Sequence, residues 1–327
     1  MDTGTFRSTL QALFSRPTRA GALMASGPPG CGKTSIIAQA AKAAGKPVVT
    51  LALPTCEAVD LRGMPVVVDG RTRWASPMPR DGEGVLILDE VSSAAPDVQV
   101  AAHHVVWAEE GSDMAVAPGW HIALTGNRAA DKTLYRPLSG PLRNRLTLLN
   151  IEPDAVAWAK WAVSAGVDPI VIGFLRWLPD ALTVKEVPAE GAFPSPRAWH
   201  RASDILALQG IGPDAERELL VGTVGEAAAV KLLAYVATAR SLPSIDAIRK
   251  NMKGAPVPRD PSLCYAITST LGQYTRVNGE GFMPYVARLP AEYGVLYITD
   301  VRDRYDIRAD AAIVSWVSTH KRLFKDQ

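Results

Sequence analysis

Gly27-Pro28-Pro29-Gly30-Cys31-Gly32-Lys33-Thr34 fits the pattern G-x-x-x-x-G-K-S/T without a mismatch. The apolar run Ala22-Leu23-Met24-Ala25 leads into it with the composition of a buried strand. Ile36 to Ala44 leaves it with helical composition and stops at Gly45. Strand, glycine-rich loop and helix, in that order, form the setting in which this pattern holds phosphate. The glycines let backbone N–H groups close on a triphosphate, and the helix N-terminus adds partial positive charge. In such a loop Lys33 reaches the β- and γ-phosphates and the Thr34 hydroxyl ligates Mg²⁺, with Ser35 next along the first helical turn. The sequence contains no Asn-Lys-x-Asp segment to read guanine, so ATP is the expected nucleotide.

At 327 residues the chain is long enough for about two domains with proper cores. Lys+Arg 35 against Asp+Glu 33 leaves a net charge of +2, so no global field favours nucleic acid or a membrane surface. No apolar stretch reaches the roughly 20 residues of a membrane span. The opening Met1-Asp2-Thr3-Gly4-Thr5 lacks the basic-then-apolar order of a signal peptide. The three cysteines, Cys31, Cys56 and Cys264, have no metal-ligand spacing and read as free thiols. A cytoplasmic location is the expectation.

Outward from the loop, Phe6, Leu10, Leu13 and Phe14 predict a short helix over 6–16, and Pro47 to Leu53 predicts a second strand of buried type. Val66-Val67-Val68 and Thr72-Arg73-Trp74, joined by Asp69-Gly70, predict a hairpin inserted into an otherwise regular βα pattern. Gly84-Val85-Leu86-Ile87-Leu88-Asp89-Glu90 sets two carboxylates at the C-terminal end of a buried strand, where open α/β sheets bind ligands. Asp89 can hold the Mg²⁺ shell and Glu90 can polarise an attacking water. A helix is expected from Pro96 to Glu110, ending before Gly111. His103 and His104 lie on it about 100° apart and cannot chelate one ion together. Trp120 to Asn127 is a third buried strand whose terminal amide can hold the water between Glu90 and the γ-phosphate.

Between Arg128 and Arg145 stand Arg128, Lys132, Arg136, Arg143 and Arg145 against a single acid, Asp131. A solvated basic loop is one explanation. The other is that Pro141-Leu142-Arg143-Asn144-Arg145-Leu146, which precedes a strand over 147–151, presents arginines at the sheet edge to the nucleotide of a neighbouring subunit. An arginine supplied in that way raises γ-phosphate loss by roughly 10³–10⁵. Beyond Glu152 the pattern turns helical, over 154–165, 168–178, 197–208 and 214–238, with Trp158, Trp161, Phe174 and Trp177 at core spacing. Ser195-Pro196-Arg197 opens a helix with a cation near its N-terminus, which is easier to understand beside a bound phosphate. Pro and Gly cluster over 251–261, and 262–327 is mainly helical. The expected division is an α/β nucleotide-binding domain over 1–151, a helical domain over 152–250 and a helical C-terminal extension over 251–327.

These residues, in this order, resemble the AAA+ ATPases, and in detail the MoxR-like, helix-2-insert branch, over about residues 5–240. The resemblance implies a P-loop AAA+ domain with a central parallel sheet, followed by an α-helical lid and the extension. It implies Asn127 as the sensor-1 residue, Arg145 as the arginine finger with Arg143 as the other candidate, and Arg197 as the sensor-2 arginine. Leu146 stands where relatives commonly carry Phe, and Ser92-Ser93 where many carry Asn-Arg. The family forms hexameric rings, remodels partner proteins, and often works with a protein carrying a von Willebrand factor A domain. The expected gripping surfaces on this reading are Met64 to Trp74 and Ser112 to Pro118, with a solvated loop as the competing reading for both. Two other readings of the same residues are a ring motor acting on nucleic acid and a P-loop kinase; the second leaves Arg143, Arg145 and Arg197 without a common explanation.

Overall fold

The computed structural model describes residues 1–108, 112, 115–131 and 134–324. The chain forms two compact units, Met1–Asp154 and Ala155–Gln327. The first is built on five parallel strands: β1 (Ala22–Ser26), β2 (Val48–Ala52), β5 (Glu83–Asp89), β6 (Gly119–Gly126) and β7 (Leu146–Asn150). Their order across the sheet is β2-β5-β6-β1-β7. The remaining elements of this unit are α1 (Thr3–Phe14), α2 (Lys33–Ala43), α3 (Ala58–Arg62), the strands β3 (Met64–Val68) and β4 (Arg71–Ala75), α4 (Pro96–Trp107) and α5 (Gly140–Arg143).

Successive residues of a strand face opposite sides, and this sheet is buried on both. Leu23, Ala25, Val85, Ile87 and Ala123 pack with Phe6, Leu10 and Phe14 of α1 and Ile36, Ile37 and Ala40 of α2. On the other face Met24, Leu86, Leu88, Ile122 and Leu124 pack with Leu61 of α3 and Val98, Ala101, Ala102 and Val105 of α4. The outer strands depart from expectation. β2 has a ladder partner on one side only, so Val49 is 38% exposed, and on β7 Leu148 is 55% exposed. The sequence marks both runs as apolar but cannot mark which strand ends at an edge.

The hairpin forms as expected: β3 and β4 pair antiparallel, with Val68 opposite Arg71. Asp69 and Gly70 both have positive φ, 52° and 73°, the two left-handed residues of a type I′ turn. At its root Gly63 (φ 80°) passes so close to β4 that a Cβ would lie 2.0 Å from the Ala75 carbonyl oxygen. The helix over Pro96 ends at Trp107 among the described residues; the expected stop at Glu110 and Gly111 lies outside them. The segment 112–118, expected as a gripping surface, is described only at 112 and 115–118. There Val116 and Ala117 are buried and Arg19 donates to their carbonyl oxygens at 3.0 and 2.9 Å, so this part is packed down rather than presented.

The second unit is helical: α6 (Ala155–Ala165), α7 (Pro169–Trp177), α8 (Pro196–Leu206), α9 (Pro213–Val224), α10 (Glu226–Ala239), α11 (Ile245–Lys250), α12 (Pro261–Asn278), α13 (Met283–Val286), α14 (Ala291–Val301) and α15 (Ala311–Thr319). The single helix expected over 214–238 is two, broken at Gly225, where φ is 82° and a Cβ would meet the Ala192 carbonyl oxygen at 2.6 Å. Trp158 and Phe174 are core residues, Trp161 is partly buried, and Trp177 is 42% exposed. Helix α12 packs on both α7 and α14. Across that junction Arg176 of α7 binds both carboxylate oxygens of Asp300 of α14, at 2.7 and 2.8 Å, and donates to Ser269 of α12 at 3.0 Å. Both partners are nearly buried, with side chains 10% and 5% exposed. Removing one member of such a pair strands the other charge. Asp300→Ala is therefore expected to cost about 3–5 kcal/mol in urea unfolding, and pairing it with Arg176→Met should recover much of that loss.

Candidate functional site

In a parallel sheet the C-terminal ends of adjacent strands converge on one edge, and here β1, β6 and β5 deliver the residues singled out from the sequence. The loop after Ser26 carries Gly27, Pro28, Pro29, Gly30, Cys31 and Gly32 to the start of α2. Gly32 caps that helix with φ 95°, a left-handed conformation that a side chain would strain, and no side chain takes up the first-turn N–H groups. The N–H groups of Lys33, Thr34 and Ser35 therefore face the loop as donors to an anion.

Lys33 is 8% exposed. Its ammonium donates to the carbonyl oxygens of Gly27 (2.8 Å) and Pro28 (3.0 Å) and to Oδ1 of Asn127 (3.3 Å). Burial lowers its pKa, opposed by the charges of Cys31, Asp131, Asp89 and Glu90. The same burial raises the Cys31 thiol, which is consequently a poor nucleophile. The contact with Asn127 joins the end of β6 to the loop, across the ground that a γ-phosphate occupies in sites of this kind.

Asp89 is the point where three elements meet. Thr34 of α2 and Thr125 of β6 each donate a hydroxyl proton to its Oδ1, both at 2.5 Å. The Thr125 oxygen also accepts the backbone N–H of Glu90 at 3.0 Å. Glu90 has φ 57° and ψ 40°, a left-handed conformation costing a non-glycine residue roughly 1–2 kcal/mol. Its N–H bond to Thr125 and the Ser93 N–H donated to its carbonyl (2.9 Å) hold it there. Strain of this kind collects at sites that need a side chain in one orientation. Glu90 itself is exposed, beside the half-buried Asp89.

A hydroxyl and a carboxylate in contact are hard oxygen donors. They suit Mg²⁺, which takes one or two carboxylates and completes its shell with phosphate oxygens and water. No cluster of three or more His, Cys, Asp or Glu occurs among the described residues, so a dedicated all-protein metal cage is not part of this edge. Thr34 and Asp89 are the residues that would hold the ion, and its chemistry would be to neutralise charge on the β- and γ-phosphates.

The arginines divide. Arg128 is bound within the unit, to Asp131 at 2.9 Å and to Glu152, so it is no free loop cation. Arg136 donates to the carbonyl oxygens of Ser93 and Ala94, both at 3.1 Å, and so braces the turn after Glu90. Lys132 lies outside the described residues. Arg143, on α5, is exposed, with no side-chain partner among the described residues. Arg145 packs its guanidinium over the Trp107 ring, 4.4 Å from the centroid. Leu146 pairs with Ala22, the first residue of β1, whereas the phosphate loop leaves the last, Ser26. Roughly 13 Å of strand thus separates these arginines from the loop of their own chain. Arg197 is exposed in the first turn of α8, which Ser195 caps by accepting the Ala198 N–H at 3.1 Å.

Three residues that matter here escaped the sequence reading. Thr125 was hidden inside an apolar run, and its only signal is its place two residues before Asn127. Ser92, noted as a departure from the family pattern, is 1% exposed and accepts the Asn127 N–H at 2.9 Å, so it seats the sensor candidate. Arg136 read as one more loop cation.

The model of the family described as "ATPase family associated with various cellular activities (AAA)" matches residues 23–109. Over that span the chain is similar to the AAA ATPases. The match spans β1 through α4 and so includes the glycine loop, Asp89 and Glu90. Protein NorQ of Paracoccus denitrificans (strain Pd 1222) is 30% identical over 141 residues, 40% of this chain and 52% of NorQ. The chain thus spans about half the length of that curated relative. Among solved structures, a RuvB variant from Thermotoga maritima is 16% identical with a TM-score of 0.40, covering 87% of this chain and 86% of RuvB. NtrX from Brucella abortus in complex with ADP is 17% identical with a TM-score of 0.35, covering 91% of this chain and 66% of NtrX.

Because Thr125 satisfies a half-buried carboxylate and a backbone N–H at once, Thr125→Val leaves both short of a partner at nearly constant shape. A loss of about 1–3 kcal/mol is expected. Thr125→Ser should keep most of the stability, and denaturant unfolding of the two variants side by side makes the comparison.

Proposed function

We propose that the chain is a Mg²⁺-dependent ATPase of the MoxR-like kind that works as a ring, hexameric by resemblance, and remodels or activates a protein partner. The observation that carries this reading is the grouping of Lys33, Thr34, Asp89, Glu90 and Asn127 on one sheet edge, while Arg143 and Arg145 lie at the opposite ends of the strands. The AAA match over residues 23–109 and the likeness to NorQ support it.

In this reading the loop N–H groups and Lys33 bind the β- and γ-phosphates, and Thr34 and Asp89 hold Mg²⁺. Glu90 accepts the proton of the attacking water, and Asn127 orients that water. The parallel register keeps Arg143 and Arg145 away from the chain's own γ-phosphate, so either would act on the nucleotide of the next subunit. Arg145 is the first candidate and Arg143 the second. Arg197, at the start of α8, would report the phosphate to the helical lid, and loss of that phosphate would change the force on the partner. A von Willebrand factor A protein is the partner class that the resemblance favours. The hairpin of β3 and β4 is the surface proposed to meet it, since Met64, Val67 and Trp74 are 63%, 77% and 39% exposed.

Glu90→Gln is expected to keep ATP affinity within about twofold while lowering turnover by roughly 10²–10⁴. Lys33→Ala is expected to lose ATP binding itself. Steady-state ATP hydrolysis and nucleotide titration read the two effects separately, and turnover by Glu90→Gln near the wild-type rate contradicts the assignment. Glu90→Gln held in ATP should retain the proposed protein client in a pull-down, and Lys33→Ala should not.

A further inference from the structure

Helix α4 ends in a large aromatic side chain that the core does not take up: Trp107 is 49% exposed. Two groups nonetheless lie against it. One helical turn back, His103 stacks on it, with ring planes 11° apart and centroids at 6.0 Å. The Arg145 guanidinium lies over the ring at 4.4 Å from its centroid. His103 has a buried Nε2 with no hydrogen-bond partner, and burial, followed by the charges of Arg145 and His104, lowers its pKa. The neighbouring imidazole is thus biased towards its neutral form.

A guanidinium stacked on an aromatic face spends its π face and keeps its N–H donors in plane. Arg145 uses one of them, donating from Nη1 to the Pro141 carbonyl oxygen at 3.0 Å. The others remain in a fixed fork of the geometry that phosphate oxygens accept bidentately. Arg143, two residues earlier, has neither a ring beneath it nor a polar partner among the described residues. Of the two arginines at this end of the sheet, one has a ring and a carbonyl oxygen against it and the other has no partner among the described residues.

We propose that Trp107 is a positioning residue that holds Arg145, through the contact with its ring, in the orientation that serves the γ-phosphate of a neighbouring subunit. The inference rests on the ring-ATPase reading above and deepens it, because it selects between the two arginines and gives α4 a part in the reaction. In this role Trp107 acts through Arg145 alone. Pre-orienting one cation in this way is worth a modest factor, well below the factor the arginine itself supplies.

The test measures ATP turnover and ADP affinity for the wild type, Trp107→Ala, Trp107→Phe and Arg145→Ala. Trp107→Ala should lower kcat by about threefold to thirtyfold, given the strength of a cation–π contact, with KM and ADP affinity within about twofold. Trp107→Phe, which keeps an aromatic face, should recover most of the rate, and Arg145→Ala should lose far more. Co-assembly separates positioning from a general structural fault. Lys33→Ala protomers have a dead loop but an intact ring and arginine, so mixing them with Trp107→Ala protomers should raise the rate per Trp107→Ala loop. Turnover by Trp107→Ala at or above the wild-type rate, or a loss that Lys33→Ala protomers do not relieve, overturns the proposal. A wild-type protein that binds ATP without hydrolysing it overturns the ATPase reading itself, which is a distinguishable result.

Discussion

The two short hydrogen bonds to one oxygen of Asp89 govern this molecule. Thr34 belongs to the helix that leaves the glycine loop, Thr125 to the central strand β6, and Asp89 to the strand beside it, so one carboxylate oxygen ties three chain segments together. Thr125 then extends the tie to the backbone of Glu90, which keeps a left-handed conformation that a free chain would abandon. Neither carboxylate is placed by its own rotamer alone. The apolar alternation that buries both faces of the sheet fixes the strands, the strands fix the hydroxyls, and the hydroxyls fix the acids.

A second constraint follows from parallel strands. Groups at the ends of β1, β5 and β6 meet, while groups before β7 are kept at the far edge. An enzyme built for one chain would gather its cations around the phosphate. This chain places Lys33 there and holds Arg143 and Arg145 a strand's length away. Arg128 and Arg136, nearer in sequence to the sensor candidate, are consumed within the unit by Asp131, Glu152 and backbone carbonyls. The division leaves the proposed reaction dependent on a second subunit for a physical reason: a one-residue slip of the register would turn Leu149, which packs on the α1–α2 side of the sheet, to the other face.

Much of this was legible in the sequence. The glycine loop, the apolar strand ending in Asp89-Glu90 and the Asp69-Gly70 hairpin each carry a local chemical requirement, and all formed where expected. What could not be read depends on contacts between distant segments. Whether Val48–Ala52 is a central or an edge strand depends on strand order, which no local pattern encodes. Thr125 and Ser92 are small polar residues whose importance lies in what faces them across the sheet. The break at Gly225 was invisible because the helices on either side are both good helix formers; the close approach of the Ala192 carbonyl makes that glycine necessary. The acid–base pair Arg176–Asp300 joins positions 124 residues apart, a separation at which charge patterning carries no information.

In the proposed reaction, ATP cleavage is completed by a guanidinium from another copy of the chain. The most direct measurement is the ATPase rate per chain across a dilution series that spans assembly, with the oligomeric state followed in the same samples. The rate per chain is expected to rise steeply with concentration and to level off once assembly is complete. A rate per chain that stays constant down to the monomer would contradict it.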